Sequence, residues 1–349
     1  MLLYLHIPFC DSKCGYCSFN SYTNLNSLKI SYMDTILTQF KEDAKRFKLK
    51  EKQISSFFIG GGTPSTIKAY MYKPFFDLIK PYLKEDAEIT TEANPNSASK
   101  EWLSEMLLLG VNRLSFGVQS FDDKKLKFLN RSHKGGEAIN AVKIASEIGY
   151  KNISIDLIYG VLGDTKKLLK NDINIASNLP INHLSAYSLT VEENTPFFSQ
   201  KNVQNNSLSL AQFFVDELKR NDFMQYEISN FSKGFTCKHN LGYWQHKNYI
   251  GIGAGAVGYL KNQRFYPQND VKKYIENPLL HVKEDLSKND LILEKIFLGL
   301  RSKIGVDLKL LNEEKVKDLL EDNKIFVKNK KLYNKDYFLS DEIALYLTS

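Results

Sequence analysis

The sequence predicts an α/β fold, a partial (βα)6 barrel followed by a small C-terminal winged-helix-like module. Short β-rich runs alternate with longer helical ones through roughly the first two hundred residues. Repeated βα units call for parallel pairing, because each crossover must carry the chain back across a sheet face. Six units are too few for the usual eight-stranded closed barrel. An open barrel fits the count better, and a doubly wound sheet is the alternative that periodicity alone leaves standing.

The elements are expected in this order. Strands fall at 2–7, 54–59, 88–93, 113–118, 153–158 and 184–189, each a short run rich in β-branched and aromatic residues. Helical periodicity occupies 28–47, 69–83, 100–109, 136–148, 166–178 and 207–221. After residue 221 the alternation stops. The expected division is therefore a barrel over 1–221, an aromatic- and glycine-rich extension over 222–285, and the module over 286–349. In the module, helices at 291–300 and 313–321 precede β runs at 325–327 and 337–339 around the polar turn 328–331. Helices followed by a basic hairpin suggest a winged shape, packed as a cap on the main domain.

Composition excludes several classes. The 349 residues carry 47 basic and 40 acidic side chains, and 43% apolar with 25% charged residues rules out disordered and fibrous chains. The surplus of +7 is mild and does not by itself argue for nucleic acid. No apolar run approaches ~20 residues, so no membrane span is expected. The N-terminal stretch lacks the basic n-region of a signal peptide, which points to the cytoplasm.

Three of the four cysteines lie within eight positions, Cys10, Cys14 and Cys17, directly after the first expected strand. A structural zinc site needs a fourth local ligand that this segment lacks. A thioredoxin-like pair leaves the third cysteine unexplained. A cubane iron–sulfur cluster normally takes one thiolate per iron, so three thiolates leave one iron open for chemistry. Downstream, polar groups sit at or near the same end of successive strands: Gly60, Gly61, Gly62 and Thr63, then Glu92, Gln119 and Asp156. Consecutive glycines let backbone approach a ligand closely.

The C-x-x-x-C-x-x-C spacing, with Tyr16 before the last cysteine, resembles the signature of the radical S-adenosylmethionine (SAM) superfamily. That resemblance implies a 4Fe-4S cluster on Cys10, Cys14 and Cys17, an open iron chelated by SAM, and an outside electron donor for the cluster. Over most of its length the chain is similar to the oxygen-independent coproporphyrinogen III oxidase (HemN) group. The SAM-binding positions this implies are Tyr4, Tyr16, Gly61, Gly62, Thr63, Glu92, Gln119, Arg131 and Asp156.

Two departures from the oxidases stand out. Phe19 occupies the position of their further cysteine, and only nine residues precede Cys10. Residues 239–244 read H-N-x-x-Y-W, a pattern associated with the HemW-type heme chaperones of the same group. This resemblance implies heme as ligand, contacted by His239, Tyr243 and Trp244, and an acceptor protein of unknown identity. Imidazole can ligate heme iron and aromatics can pack on a porphyrin face. Cys237 reads equally as a nearby ligand or a small buried apolar residue. The alternatives are a coproporphyrinogen decarboxylase and, in another class, a radical enzyme modifying nucleic acid through the module; acidic residues such as Glu313 and Glu314 dilute the charge the latter needs. Finally, G-x-G-x-x-G at 253–258 is not expected to bind a dinucleotide, because no convincing helix follows it.

Overall fold

A computed structural model describes residues 1–349. Six βα units come first. They run β1 (Leu2–Ile7), α1 (Lys29–Arg46), β2 (Ile54–Gly61), α2 (Lys73–Ile79), β3 (Leu83–Ala93), α3 (Lys100–Leu109) and β4 (Arg113–Gln119). The chain continues through α4 (Asp123–Phe128), α5 (Gly135–Ile148), β5 (Asn152–Tyr159), α6 (Lys166–Ser177), β6 (His183–Ser188) and α7 (Leu208–Arg220). Side chains of Ser99, Thr165 and Ser207 cap α3, α6 and α7, each accepting from a first-turn backbone N–H.

Strands β1 to β6 are parallel and lie side by side in chain order. Right-handed crossovers in an unbroken order place every helix on the same face. A doubly wound sheet would reverse its order at a switch point, and none occurs. Alternate residues divide the two faces. Leu3, Leu5, Phe57, Ile59, Leu114, Phe116, Ile153, Ile155 and Leu184 join the main apolar core. Between them stand Ser56, Glu88, Arg113, Ser154 and His183, all buried. The concave face is therefore polar, and it positions the chemistry.

The extension continues this sheet at both edges. The short strands β7 (Met224–Gln225) and β8 (Asn230–Ser232) add to β6, antiparallel, and helix α8 (Lys238–Trp244) follows them. Beyond β1 come β9 (Tyr249–Ile252), β10 (Gly258–Leu260), β11 (Gln263–Pro267) and, after α9 (Val271–Glu276), β12 (His281–Asp285). The glycine-rich run 253–258 joins β9 to the antiparallel strand β10, and no helix opens there.

The C-terminal elements are α10 (Lys288–Leu300), β13 (Val306–Asp307), α11 (Glu313–Glu321), β14 (Ile325–Lys328), β15 (Lys331–Asn334) and α12 (Ser340–Thr348). They enclose a cluster of their own, including Leu300, Val316, Leu319, Ile325, Leu332 and Ile343. The expected second β run at 337–339 is corrected here. The hairpin turns on Asn329 and Lys330, both at positive φ (51° and 61°), so β15 begins at Lys331. Residues 337–339 instead form a 3-10 turn capped by Asp336, which leads into α12. The expected helix at 69–83 is likewise split into a 3-10 turn, α2 and a second 3-10 turn, with Pro74 and Pro81 at the starts of the later pieces, where a missing N–H is tolerated.

Candidate functional site

The three clustered thiols lie on the connection after β1, and that loop is tied to distant segments. Cys10 N donates to Tyr22 O at 3.0 Å, Gly15 N to Leu129 O at 3.2 Å, and Phe197 N to Gly15 O at 2.9 Å. All three cysteines are free; Cys10 is buried and the other two are half-buried. Burial pushes the Cys10 and Cys17 thiols up from their ordinary acidity. A cation or cluster would have to reverse that shift to hold thiolates.

β2 ends against this loop. A Cβ on Gly62 would stand 2.8 Å from Phe9 O and 3.0 Å from Cys10 Sγ. Gly61 has φ of +117°, and a Cβ there would meet the His6 ring at 2.5 Å. Glycine is thus required by the close approach of two strand ends. Gly61 N donates to Glu92 Oε2 at 3.1 Å, and Thr63 Oγ1 lies 3.5 Å from Cys10 Sγ.

Glu92 at the end of β3 and Asp156 on β5 are two half-buried carboxyls facing the same cavity. Burial, then the nearby Asp156 charge, pushes Glu92 up to about 8. Burial raises Asp156 too, against hydrogen bonds from Ser185 and Ser115. Arg131 reaches in from the segment after α4. Its Nη1 donates to Cys14 Sγ at 3.1 Å, and its Nη2 donates to Asn94 Oδ1 at 2.7 Å and Gly117 O at 2.6 Å. Gln119 ends β4 at φ of +68°, and the residues after it are held by Asp172, which accepts from Ser120 Oγ at 2.7 Å and Phe121 N at 2.8 Å.

One cavity of about 450 Å³ gathers these groups. Its wall includes Cys10, Cys14, Cys17, Tyr16, Gly61, Gly62, Thr63, Glu92, Gln119, Arg131 and Asp156. No three His, Cys, Asp or Glu side chains converge as a single-ion site. Three thiols on one loop suit a cluster that gives each thiolate its own iron and leaves a fourth iron open. Carboxyls, a guanidinium and exposed backbone polar groups beside them suit a ligand carrying both amino and carboxylate groups.

Tyr4 is not on that wall. It sits two residues before His6 on β1, and its hydroxyl lies 3.0 Å from His6 Nδ1. Sequence reasoning missed Asn94, which bridges Arg131 and Thr63, and Tyr187 near the end of β6. The signal for Tyr187 is its place near the end of β6, matching Glu92 and Gln119 on β3 and β4. Phe19 does line the cavity and is 67% exposed.

The structure does not bring His239 to this mouth. Helix α8 covers the other end of the sheet, where His239 is enclosed, with Nδ1 2.9 Å from Ser56 Oγ and its ring packed between Phe58 and Tyr243. Burial holds its pKa down at about 3. A porphyrin reaches this imidazole only if α8 moves. Cys237 is fully buried beside Glu88, with its Sγ 3.3 Å from Glu88 Oε1, and burial pushes its thiol up to about 12, which disfavours a thiolate ligand.

The chain is similar to known proteins. The Radical SAM superfamily matches residues 4–175. The heme chaperone HemW of Bacillus subtilis (strain 168) is 36% identical over 371 residues, covering 99% of this chain and 94% of the relative. HemW of Escherichia coli (strain K12) is 38% identical over 263 residues, 73% of this chain and 69% of that one. Among solved structures, coproporphyrinogen III oxidase (HemN) from Escherichia coli superimposes with a TM-score of 0.84 at 20% identity, covering 100% of this chain and 90% of the other. At that identity the likeness shows the fold alone.

Proposed function

The chain belongs to the HemW family of the radical SAM superfamily, and from that premise we propose that it holds heme and passes it to an acceptor protein. The observation that carries the reading is a cavity in which three thiols stand beside Glu92, Arg131 and Asp156, on a chain related to HemW along its whole length. We assign Cys10, Cys14 and Cys17 to a 4Fe-4S cluster. Bound there, the cluster with SAM on its open iron supplies one-electron chemistry, and an outside donor would reduce it.

The chain's own residues do the positioning. Gly61 and Gly62 admit the ligand close to the thiol loop, and Thr63 sets Cys10. Arg131, buttressed by Asn94, places positive charge beside Cys14 and is suited to a carboxylate. Glu92 and Asp156 are suited to an ammonium or ribose hydroxyls, and a cationic ligand would draw Glu92 back to its ionised form. Tyr16 and Gln119 complete the wall, while Tyr4 acts through His6 from behind it. Heme contact by His239, Tyr243 and Trp244 would require α8 to leave the sheet, because α8 keeps His239 enclosed.

No helix is long and apolar enough to cross a membrane; a cytoplasmic location is part of this proposal. The test is anaerobic reconstitution followed by hemin titration at the Soret band. About one hemin per chain supports the reading, and absence of saturable binding contradicts it.

A further inference from the structure

A second cavity, of about 480 Å³, opens between β6, α7 and the chain entering α12. It shares Tyr187, Ser188 and Thr190 with the thiol cavity, so the end of β6 borders both. Its volume falls in the ~300–1,000 Å³ range of small-molecule sites.

The lining chemistry narrows the ligand. Rings come from both sides: Tyr159 and Tyr187 from the barrel, Tyr337 and Phe338 from the C-terminal module. Several apolar side chains on it are left to water: Leu208 is 79% exposed, Tyr187 43% and Phe338 42%. Apolar surface gathered in a concavity, rather than scattered, marks a place that a ligand covers. The one charged residue on the wall, Asp341, is already matched by Arg301, whose Nε donates to its Oδ1 at 2.9 Å. No lysine or arginine lines the wall, so the carboxylates of a ring ligand point out of the cleft into water. The walls suit a large, flat, apolar ring, and amide and hydroxyl groups at Asn205, Asn206 and Ser207 can meet polar substituents at its edge.

We propose that heme rests in this cleft between β6 and the C-terminal module; the inference depends on the chaperone reading above. No histidine, cysteine or methionine lines it, and burial raises the phenols of Tyr159, Tyr187 and Tyr337 away from the phenolate form that binds iron, so the ring is held by packing on its faces. That suits a carrier, which must release what it holds. The shared Tyr187 also places the porphyrin next to the thiol cavity, within reach of a change in that site.

Ala211 on α7 faces the cleft, and Ala211→Trp fills it; Leu208→Glu places a carboxylate at its mouth. Hemin is titrated at the Soret band into the full-length, cluster-reconstituted protein, with cluster absorbance and melting temperature as folding controls. Both variants are expected to bind hemin at least tenfold more weakly while the controls match wild type. Wild-type affinity in the folded variants overturns the location. Weakened binding in His239→Ala, with Ala211→Trp unaffected, moves heme to α8 and overturns it too. If wild type itself binds no hemin, the chaperone reading fails, a result distinct from failure of the location.

Discussion

Glu88 Oε1 accepts a hydrogen bond from the backbone N–H of His239 at 2.9 Å, and its second oxygen accepts from Lys238 N at 2.8 Å. One buried carboxylate on β3 thus anchors the start of α8 across the end of the sheet remote from the thiols. It satisfies two N–H groups that a helix start leaves without partners.

Glu88→Ala strands those buried donors, at about 1–3 kcal/mol for each group left unpaired. We expect a loss of stability on the order of 2–4 kcal/mol in denaturant unfolding, with cluster assembly retained. Unchanged stability would show that α8 is not held this way.

His239 gives the protein an acid-sensitive element. Its folded pKa, about 3, is far below the ordinary 6.5 because burial disfavours the charged ring. The unfolded chain therefore takes up the proton first, and stability is lost as pH falls from about 6.5 towards 3. Between pH 7 and pH 5, His239→Asn is expected to lose about 2 kcal/mol less than wild type. Equal losses in paired melts would remove the ring as the sensor.

Glu92 works in the opposite direction. Its folded pKa, about 8, lies above the unfolded 4.5, so ligand-free protein loses stability as pH rises from about 4.5 to 8. Glu92→Gln is expected to flatten that slope, removing up to about 3 kcal/mol of the change between pH 5.5 and 8. A slope like wild type would mean that Glu92 ionises freely.

The thiol cavity makes a separate demand. Cys14→Ser is expected to abolish the visible absorption of reconstituted cluster, while Cys237→Ser retains it. In Gly61→Val the cluster should form, but SAM should shift its electron paramagnetic resonance spectrum far less, because the added side chain strikes His6 and the strand end. A full cluster in Cys14→Ser, or a wild-type SAM response in Gly61→Val, contradicts the assignment.

Much of this was legible in the sequence, for physical reasons that differ between regions. β1 and α3 are found at their expected bounds because a short β run and a capped apolar period mark them locally. The strand ends revealed Glu92, Gln119 and Asp156 because polar residues closing buried strands are conspicuous. Arg131, in contrast, was assigned by family likeness alone. Its place beside Cys14 depends on a fold-back through Asn94 and Gly117 that no local pattern announces. His239 shows the reverse problem. An imidazole beside aromatics suits both a heme contact and a helix sealing a barrel end, and only packing distinguishes them. The strand expected at 337–339 failed because the turn at Asn329 and Lys330 takes two residues and pairs Lys331 at once.

A heme carrier of this family is expected to bind heme without decarboxylating a porphyrinogen. The most direct measurement supplies reconstituted wild-type protein with coproporphyrinogen III, SAM and a strong reductant, and follows the product by mass. Coproporphyrinogen III is expected to be recovered intact from the same preparation that binds hemin. Turnover to a product lacking two carboxyl groups would contradict that expectation.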